Sequence, residues 1–240
     1  MNKNSLIAVI IIAAVILALG LLWYNKDNVS NKRTISSNGI STMKSMPDLT
    51  TVYIRIDTSA STADESKDQN SKISEAVMVS LLKIVENKDI ETQQFNIYPE
   101  YDWSEGKQKL LGYKTTNSLK VKLTDFTKIG DVIDAAIDSG ASGIDSINFE
   151  ISDDKKSELK KQVLEKASQD AREKAESVAK GLNAKLGKLV SVSAADYDYR
   201  PYSIYTMEAG GVSAAKEAAT NVNPQELEVS ANVQVTFEIY

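Results

Sequence analysis

The sequence contains neither cysteine nor histidine among its 240 residues. Without thiols and imidazoles the chain has no thiol nucleophile, disulfide, thiolate zinc site, imidazole base, or histidine or cysteine ligand for haem. Apart from a few acidic residues that are considered below, no residue pattern suggests a catalytic, cofactor-binding or metal site. We therefore expect a protein that is not an enzyme and that carries no cofactor.

A concentration of basic residues is also missing. The 28 Lys and Arg residues are interspersed with 33 Asp and Glu residues, and the formal net charge is −5. Because proteins that bind nucleic acid neutralise its phosphates with a basic stripe, we expect no nucleic acid partner. The 42% hydrophobic content suits one soluble domain with accessory segments.

The N-terminus carries a long apolar segment without a charge, from Leu6 to Trp23. About 20 apolar residues in a helix cross the hydrocarbon core of a bilayer. After a flank at residues 1–4, the sequence therefore predicts a transmembrane helix or signal anchor over residues 5–24. A cleavable signal peptide is the alternative, but such peptides usually end in small residues, whereas this segment ends in Trp23 and Tyr24, which are typical of a membrane interface.

Residues 25–46 are rich in Asn, Ser, Thr and Lys with little periodicity, which predicts a polar tether before a domain at residues 47–240. The domain's patterns run strand, helix, strand, strand, linking helix, and then strand, helix, strand, strand. This order predicts an α+β fold of duplicated β-α-β-β units, with mainly antiparallel sheet and helices packed on one face. The predicted strands lie near residues 51–57, 87–103, 111–123, 147–151, 190–194 and 227–239, and the helices near 62–86, 129–137 and 155–182.

The segment from residue 87 to residue 103 alternates like a strand but contains Pro99. Since proline has no amide hydrogen for a ladder, we expect an edge strand here. The strand as a whole is expected to be half-buried, with its apolar residues on one side, and Glu100 and Asp102 are interpreted as a charged edge that discourages strand addition, in preference to metal ligands. The predicted apolar side consists of Phe95, Ile97, Pro99, Tyr101 and Trp103.

A long connection, at residues 196–225, separates the last two predicted strands and is interpreted as an arm. Tyrosine and arginine are common in protein interfaces because they bury area and keep polar contacts. One hypothesis is that the arm contacts a second copy or an envelope protein. An equally supported alternative is that its tyrosines pack on their own domain. The residues concerned are Tyr197, Tyr199, Arg200, Tyr202 and Tyr205.

Several short motifs occur in order over residues 47–240. They are Pro47-Asp48, Asp89-Ile90-x-Thr92 with Phe95, Pro99 and Tyr101, Gly112-Tyr113, the run from Ser142 to Phe149, Asp170-Ala171-x-x-Lys174-Ala175, and Leu186-Gly187-Lys188. In their order and spacing these motifs resemble the SIMPL-domain family of envelope proteins, to which the YggE-like proteins belong. One departure is Asn183, which stands where family members commonly have glycine, although asparagine is the next-best residue for a left-handed helix cap.

The resemblance implies an extracytoplasmic domain without an established catalytic site, linked in some relatives to oxidative-stress defence and in at least one to a ring-like oligomer. Together with the apolar segment, it predicts a single-pass cell-membrane protein whose C-terminal domain is extracytoplasmic. We expect a membrane-tethered, non-enzymatic assembly or scaffold domain. Its expected partners are the membrane through residues 5–24, further copies of the same chain, and an envelope protein.

Two alternatives depend on acidic residues. An extracytoplasmic sensor would use them to bind a ligand or calcium through oxygen atoms. A hydrolase would use a pair of carboxylates, as glycosidases do. The residues available to either alternative are Glu100, Asp102, Asp196 and Asp198.

Overall fold

The computed structural model describes residues 15–17, 33–103, 108–205 and 224–240. Residues 15–17 are helical, and the remaining ranges contain eight strands and three α-helices. In chain order the elements are β1 (Thr34–Ser45), β2 (Leu49–Ala60), α1 (Ala63–Leu81), β3 (Ile90–Asp102), β4 (Lys109–Leu123), α2 (Ile129–Asp138), β5 (Gly143–Glu150), α3 (Asp153–Gly181), β6 (Leu186–Tyr199), β7 (Tyr202–Tyr205) and β8 (Leu227–Ile239).

The contacts divide the chain into two compact units. The terminal unit comprises Met1–Gly39, Ser168–Ala195 and Val233–Tyr240. The central unit comprises Ile40–Ala167 and Asp196–Asn232.

A five-stranded sheet in the order β3-β4-β2-β5-β7 organises the central unit, and the paired strands are antiparallel. Strand β2 is the third of the five strands, and its alternate residues Val52, Ile54 and Ile56 are fully buried. Helices α1 and α2 pack against this sheet and share one apolar core with it. The predicted α+β class with antiparallel sheet is confirmed.

Helix boundaries in the central unit follow local signals that the sequence carries. The Thr62 hydroxyl accepts a hydrogen bond from the Glu65 amide at 3.2 Å and caps α1. Asp125 accepts one from the Thr127 amide at 3.0 Å and caps the short 3-10 turn before α2. Gly140 then has a φ of 99°, which favours glycine at the end of α2.

The second sheet has the order β1-β8-β6. Strand β8 buries every second residue along its length, as its alternating sequence predicts. Helix α3 buries an alanine at every fourth position, which was also visible in the sequence. The buried alanines are Ala167, Ala171, Ala175 and Ala179.

The tether predicted for residues 25–46 is wrong over Thr34–Ser45, because these 12 residues form β1. The inward positions of β1 are mainly small or polar, as at Ser37, Gly39 and Ser45. Hydrophobic alternation therefore gave no strand signal in this segment. Residues 25–32 lie outside the described residues.

The strands of the second predicted β-α-β-β unit are shared between the two sheets. Strand β5 pairs with β2 in the five-stranded sheet, whereas β6 and β8 lie with β1 in the three-stranded sheet. The strand beside β8 that completes its sheet is thus β1, which precedes both predicted units. The order of the strands along the sequence did not reveal that they belong to two different sheets.

The predicted transmembrane segment at residues 5–24 lies outside the described residues, apart from the helical residues 15–17. Within the part of the chain that the structure describes, no helix is long and apolar enough to cross a membrane.

Candidate interaction surfaces

Two of the predicted interface tyrosines contact lysines of α3 within the central unit. Lys156 Nζ lies 5.1 Å from the ring centroid of Tyr199, and Lys160 Nζ lies 5.2 Å from that of Tyr197. Four helical residues rise about 6 Å, and two strand residues rise nearly the same distance. The i,i+4 lysine pair therefore matches the i,i+2 tyrosine pair in spacing, and each cation meets one aromatic face.

The Tyr199 hydroxyl also accepts a hydrogen bond from the Ile151 amide at 2.8 Å. Burial raises the pKa of Tyr199 above its ordinary value, and the nearby Glu150 carboxylate adds to this rise. Burial also raises the pKa of Tyr197. Both rings are therefore neutral phenols near neutral pH, which suits contact with a lysine cation.

Lys156 keeps its charge in this cluster. Burial lowers the pKa of its ammonium group, but the hydrogen bond to Asp153 at 3.0 Å and the nearby negative charges, mainly that of Asp153, together outweigh burial, and the pKa lies above its ordinary value. The cation over the Tyr199 ring is thus maintained across the physiological pH range.

The other three predicted interface residues have different surroundings. The Tyr202 ring lies 6.2 Å from the Phe149 ring, across the β5–β7 ladder. Tyr205 pairs in register with Ser146, but its side chain lies outside the described part of the structure. The Arg200 side chain is 86% exposed, with its Nε 3.5 Å from Asp198 Oδ2.

The predicted arm at residues 196–225 is therefore partly strand. Its first residues complete β6, and Tyr202–Tyr205 form β7 at the edge of the five-stranded sheet. Residues 206–223 lie outside the described residues. Tyr197, Tyr199 and Tyr202 contact their own domain, as the alternative hypothesis expected, and Arg200 is the most exposed of the four positions whose side chains are described. A role of this region in binding a partner stays a prediction.

Strand β6 carries another exposed apolar surface. This strand is at an edge of the three-stranded sheet, and residues 188–193 are all exposed. Successive side chains point to opposite faces, so both faces of the strand carry exposed apolar groups. The exposed fractions are 53% for Leu189, 51% for Val190 and 52% for Val192.

Strand β3 occupies the predicted edge position, and Pro99 pairs in register with Tyr113 of β4. The expectation of a half-buried strand is wrong, because residues 92–99 are exposed on both faces, as shown by Phe95 at 45% and Tyr98 at 42%. Helix α1 packs mainly on β2 and β4 and makes only a minor contact with β3. The alternating sequence pattern identified β3 as a strand, but it did not show which strands of the sheet α1 covers.

The acidic residues considered for a hydrolase or sensor do not form a described metal site. Glu100 lies on β3 and accepts a hydrogen bond from the Ser59 hydroxyl at 3.0 Å. Asp102 is paired in register with Lys109, and Asp198 lies on β6 beside Arg200. The side chain of Asp196 is outside the described part. Among the described residues, no three acidic side chains are grouped so that they could hold a metal ion.

Comparison with known proteins gives one family. A family model described as "SIMPL: Protein of unknown function (DUF541)" matches residues 35–237. The chain belongs to the SIMPL family. Its match begins in β1 and ends in β8, so it covers both sheets.

Several curated proteins resemble this SIMPL chain over most of their length. "Uncharacterized protein YggE" of Escherichia coli K12 is 26% identical over 208 residues, which cover 85% of this chain and 80% of the relative. The YggE protein of Edwardsiella ictaluri is 24% identical, with 85% and 86% covered. The "26 kDa periplasmic immunogenic protein" of Brucella melitensis is 24% identical over 212 residues, with 85% and 84% covered.

The SIMPL motifs noted in the sequence occupy structural positions. Both Asp48 carboxylate oxygens accept hydrogen bonds of 2.7 Å from Ser152, one from its amide and one from its hydroxyl. A Cβ at Gly112 would lie 2.4 Å from the Ala60 carbonyl oxygen, and Asn183 has a φ of 56° at the end of α3. These residues shape strand contacts and helix ends, and the left-handed conformation expected for Asn183 is confirmed.

Sequence reasoning missed two features of these surfaces. The lysine partners of Tyr197 and Tyr199 were not identified, although Lys156 and Lys160 show the i,i+4 spacing. The β6 edge was also missed, although residues 189–195, LVSVSAA, contain no charge, proline or glycine.

Proposed function

We propose that this SIMPL protein is a non-enzymatic assembly or scaffold domain of the cell envelope, held in the membrane by residues 5–24 and functioning as a homo-oligomer outside the cytoplasm. The observation that carries the assembly role is the apolar edge of β6. The proposed location is supported by the apolar N-terminal sequence and by the Brucella relative, which is named a periplasmic protein.

Strand β6 has the properties of a strand that pairs with another chain. An edge strand presents unpaired backbone N–H and C=O groups, and natural proteins usually protect such edges with charges, proline or a bulge. Residues 189–195 contain neither a charged residue nor a proline. An uncharged segment with high β propensity is also typical of strands that add to other strands.

A second copy of the same strand is the occupant we propose. Two β6 edges in antiparallel orientation form an isologous contact, in which the same surface serves both copies. Such pairing satisfies the backbone groups of both edges. It also brings Leu189, Val190 and Val192 into cross-strand contact with the same residues of the other copy, and it reduces their exposure to water on both faces.

The remaining parts of the proposal come from the family resemblance. A link to envelope stress defence and an additional envelope protein partner are expected on that basis. Function by contact, without catalysis, is in keeping with the structural roles of the SIMPL motif residues.

The assembly role is tested by the double variant Val190→Lys/Val192→Lys in the full chain, solubilised in detergent. Lysines at an edge strand repel an incoming copy, so we expect the mass measured by light scattering to fall to that of a single chain. The matched control is Val79→Lys on α1, because Val79 is 55% exposed and Val192 is 52% exposed. The control should keep the mass of the unchanged protein.

Two results would contradict the assembly role of β6. One is an unchanged protein that is a single chain at all concentrations measured. The other is a double variant with the same oligomeric mass as the unchanged protein. Circular dichroism of each variant shows whether the fold is retained.

A further inference from the structure

Four chain segments meet at one end of the terminal unit. The Lys185 amide donates to the Tyr240 carbonyl at 2.7 Å, and the Tyr240 amide donates to the Lys185 carbonyl at 3.2 Å. The Ile239 amide donates to the Arg33 carbonyl at 2.9 Å. The first residues of β1 and β6 and the last residues of β8 therefore lie side by side.

The C-terminus of α3 reaches the same end. The left-handed residue Asn183 follows the last helical residue, Gly181, and the Ala184 amide donates to the Ala179 carbonyl at 2.9 Å. Ala184 directly precedes Lys185, so the last helical turn leads into β6 within a few residues. Lys180 and Lys185 line one surface depression.

The exposed side chains at this end combine positive charge with apolar area. Arg33, Lys180 and Lys185 are exposed, while Leu182 is 65% exposed and Tyr240 is 73% exposed. We call these five residues the basic end. Three further charged residues lie nearby. Arg172 and Glu176 line the same depression, and the Cβ of Glu238 lies beside Gly187.

The sequence limits how far the basic end can lie from the predicted anchor. The proposed membrane segment ends at Tyr24, and the described chain resumes at Arg33. Nine fully extended residues span about 30 Å at most. If residues 5–24 are in the bilayer, Arg33 lies within that distance of the membrane surface, and the rest of the basic end is attached to it through the β1-β8-β6 backbone bonds.

We propose that the basic end docks on anionic lipid head groups of the membrane that holds residues 5–24. This inference rests on the membrane anchor of the proposed function. Lysine and arginine near an anionic leaflet attract its surface charge, and exposed leucine and tyrosine insert at the interface. The short connection keeps the surface at a high effective concentration near the lipid, so a small number of charges is sufficient.

The test uses the full chain, whose lack of cysteine allows a single label. Leu182→Cys, labelled with an environment-sensitive fluorophore, is reconstituted into vesicles of phosphatidylcholine alone or mixed with phosphatidylglycerol. Lipids with a spin label on the head group quench fluorophores that touch the surface. The matched control is Gln169→Cys, an exposed position on the same helix and about 20 Å from residue 182.

We expect quenching at position 182 to exceed quenching at position 169 by about threefold or more in vesicles that contain phosphatidylglycerol. Adding Lys180→Glu and Lys185→Glu should abolish the difference, because each charge near an anionic surface contributes about fivefold to binding. High salt should reduce it as well. Equal quenching at the two positions, or quenching that is unchanged by the charge reversals, would overturn the docking surface.

A separate measurement tests the membrane anchor independently of the docking surface. Protein that an alkaline carbonate wash releases from the vesicles contradicts the anchor at residues 5–24, and salt-sensitive quenching at position 182 would then still support the docking surface. Protein that resists the wash but shows no excess quenching at position 182 contradicts the docking surface alone.

Discussion

Tyr197 and Tyr199 are two residues apart on β6, yet their hydroxyl groups have different surroundings. The Tyr199 hydroxyl accepts a hydrogen bond from the Ile151 amide, whereas the buried Tyr197 hydroxyl has no hydrogen-bond partner. Removing an accepting partner leaves a desolvated amide, and this costs more than removing a hydroxyl that has no partner. The pair therefore offers a controlled comparison at the scale of one oxygen atom.

We predict that Tyr199→Phe lowers the free energy of unfolding by about 1–2 kcal/mol, while Tyr197→Phe changes it by less than about 0.5 kcal/mol or raises it. Both variants keep the aromatic ring near its lysine. Urea unfolding followed by circular dichroism measures the difference. Equal losses in the two variants would show that the Ile151 hydrogen bond does not stabilise the domain.

The carboxyl group of Asp48 leads to a second prediction at the residue scale, on how stability depends on pH. Burial raises the pKa of its carboxyl group, but the two hydrogen bonds from Ser152 and the charge of Lys155 outweigh burial and hold the pKa below its ordinary value of 3.8. A lowered folded-state pKa stabilises the fold fully above the ordinary value, and this contribution is lost as the pH falls through the folded-state pKa.

We expect Asp48→Asn to lower the free energy of unfolding by about 1–3 kcal/mol near pH 7, because charge-assisted hydrogen bonds are replaced. The difference from the unchanged protein should shrink at a pH well below 3.8, where the aspartate is protonated. Unfolding curves of both proteins at several pH values check this. A difference that is constant with pH would rule out a contribution from the carboxylate charge.

At the scale of elements, α1 is attached to the sheet in two chemically different ways. Its C-terminal half buries Val77 and Leu81 in the apolar core. Its N-terminal half instead buries Ser66 and Asn70, and the Asn70 amide group donates to the carbonyls of Ile56 at 2.9 Å and Thr115 at 3.2 Å. Because hydrogen bonds are directional, these two bonds fix the position of the helix relative to β2 and β4. Apolar contacts, which are not directional, do not fix it in this way.

We predict that Asn70→Ala lowers the free energy of unfolding by about 2–3 kcal/mol, since it removes two buried hydrogen bonds and leaves a small cavity. The control is Gln69→Ala at the adjacent exposed position, which should change stability by less than about 0.5 kcal/mol. Chemical denaturation of the two variants is the measurement. Similar values for both would show that the polar contacts of α1 are not stabilising.

Most elements could be predicted where the sequence carries a strong local signal. The capping threonine at position 62, the alanine repeat of α3 and the alternation of β8 each identified an element correctly. Strand β1 gave no such signal because its inward positions are mainly small or polar residues. Strand β7 was missed because it has only 4 residues and depends on pairing with β5.

At the scale of the whole molecule, the proposed topology predicts different access to the two sides of the membrane. Because the chain has no cysteine, a single introduced cysteine reports its own position. Ser157→Cys is on the exposed surface of α3 and should react with a membrane-impermeant maleimide in spheroplasts. Asn4→Cys, before the predicted membrane segment, should react only after permeabilisation.

Labelling of both positions in intact spheroplasts, or of neither, would contradict the single-pass topology. Labelling of residue 4 alone would place the domain in the cytoplasm and contradict its proposed location. Each variant is first shown to react fully in detergent, so that a missing signal reports the membrane barrier.

The sequence by itself determined the α+β class, most helices and strands and the membership of the SIMPL family, because these depend on local periodicity, capping residues and motif spacing. Only the tertiary structure decided that β1 completes the sheet of β8, that Tyr197 and Tyr199 meet the lysines of α3, and that β6 has an exposed apolar edge. Strand neighbours and side-chain exposure depend on contacts between residues that are far apart in the chain. A local pattern of hydrophobic and polar residues does not specify those contacts, since several sheet orders bury the same alternating faces.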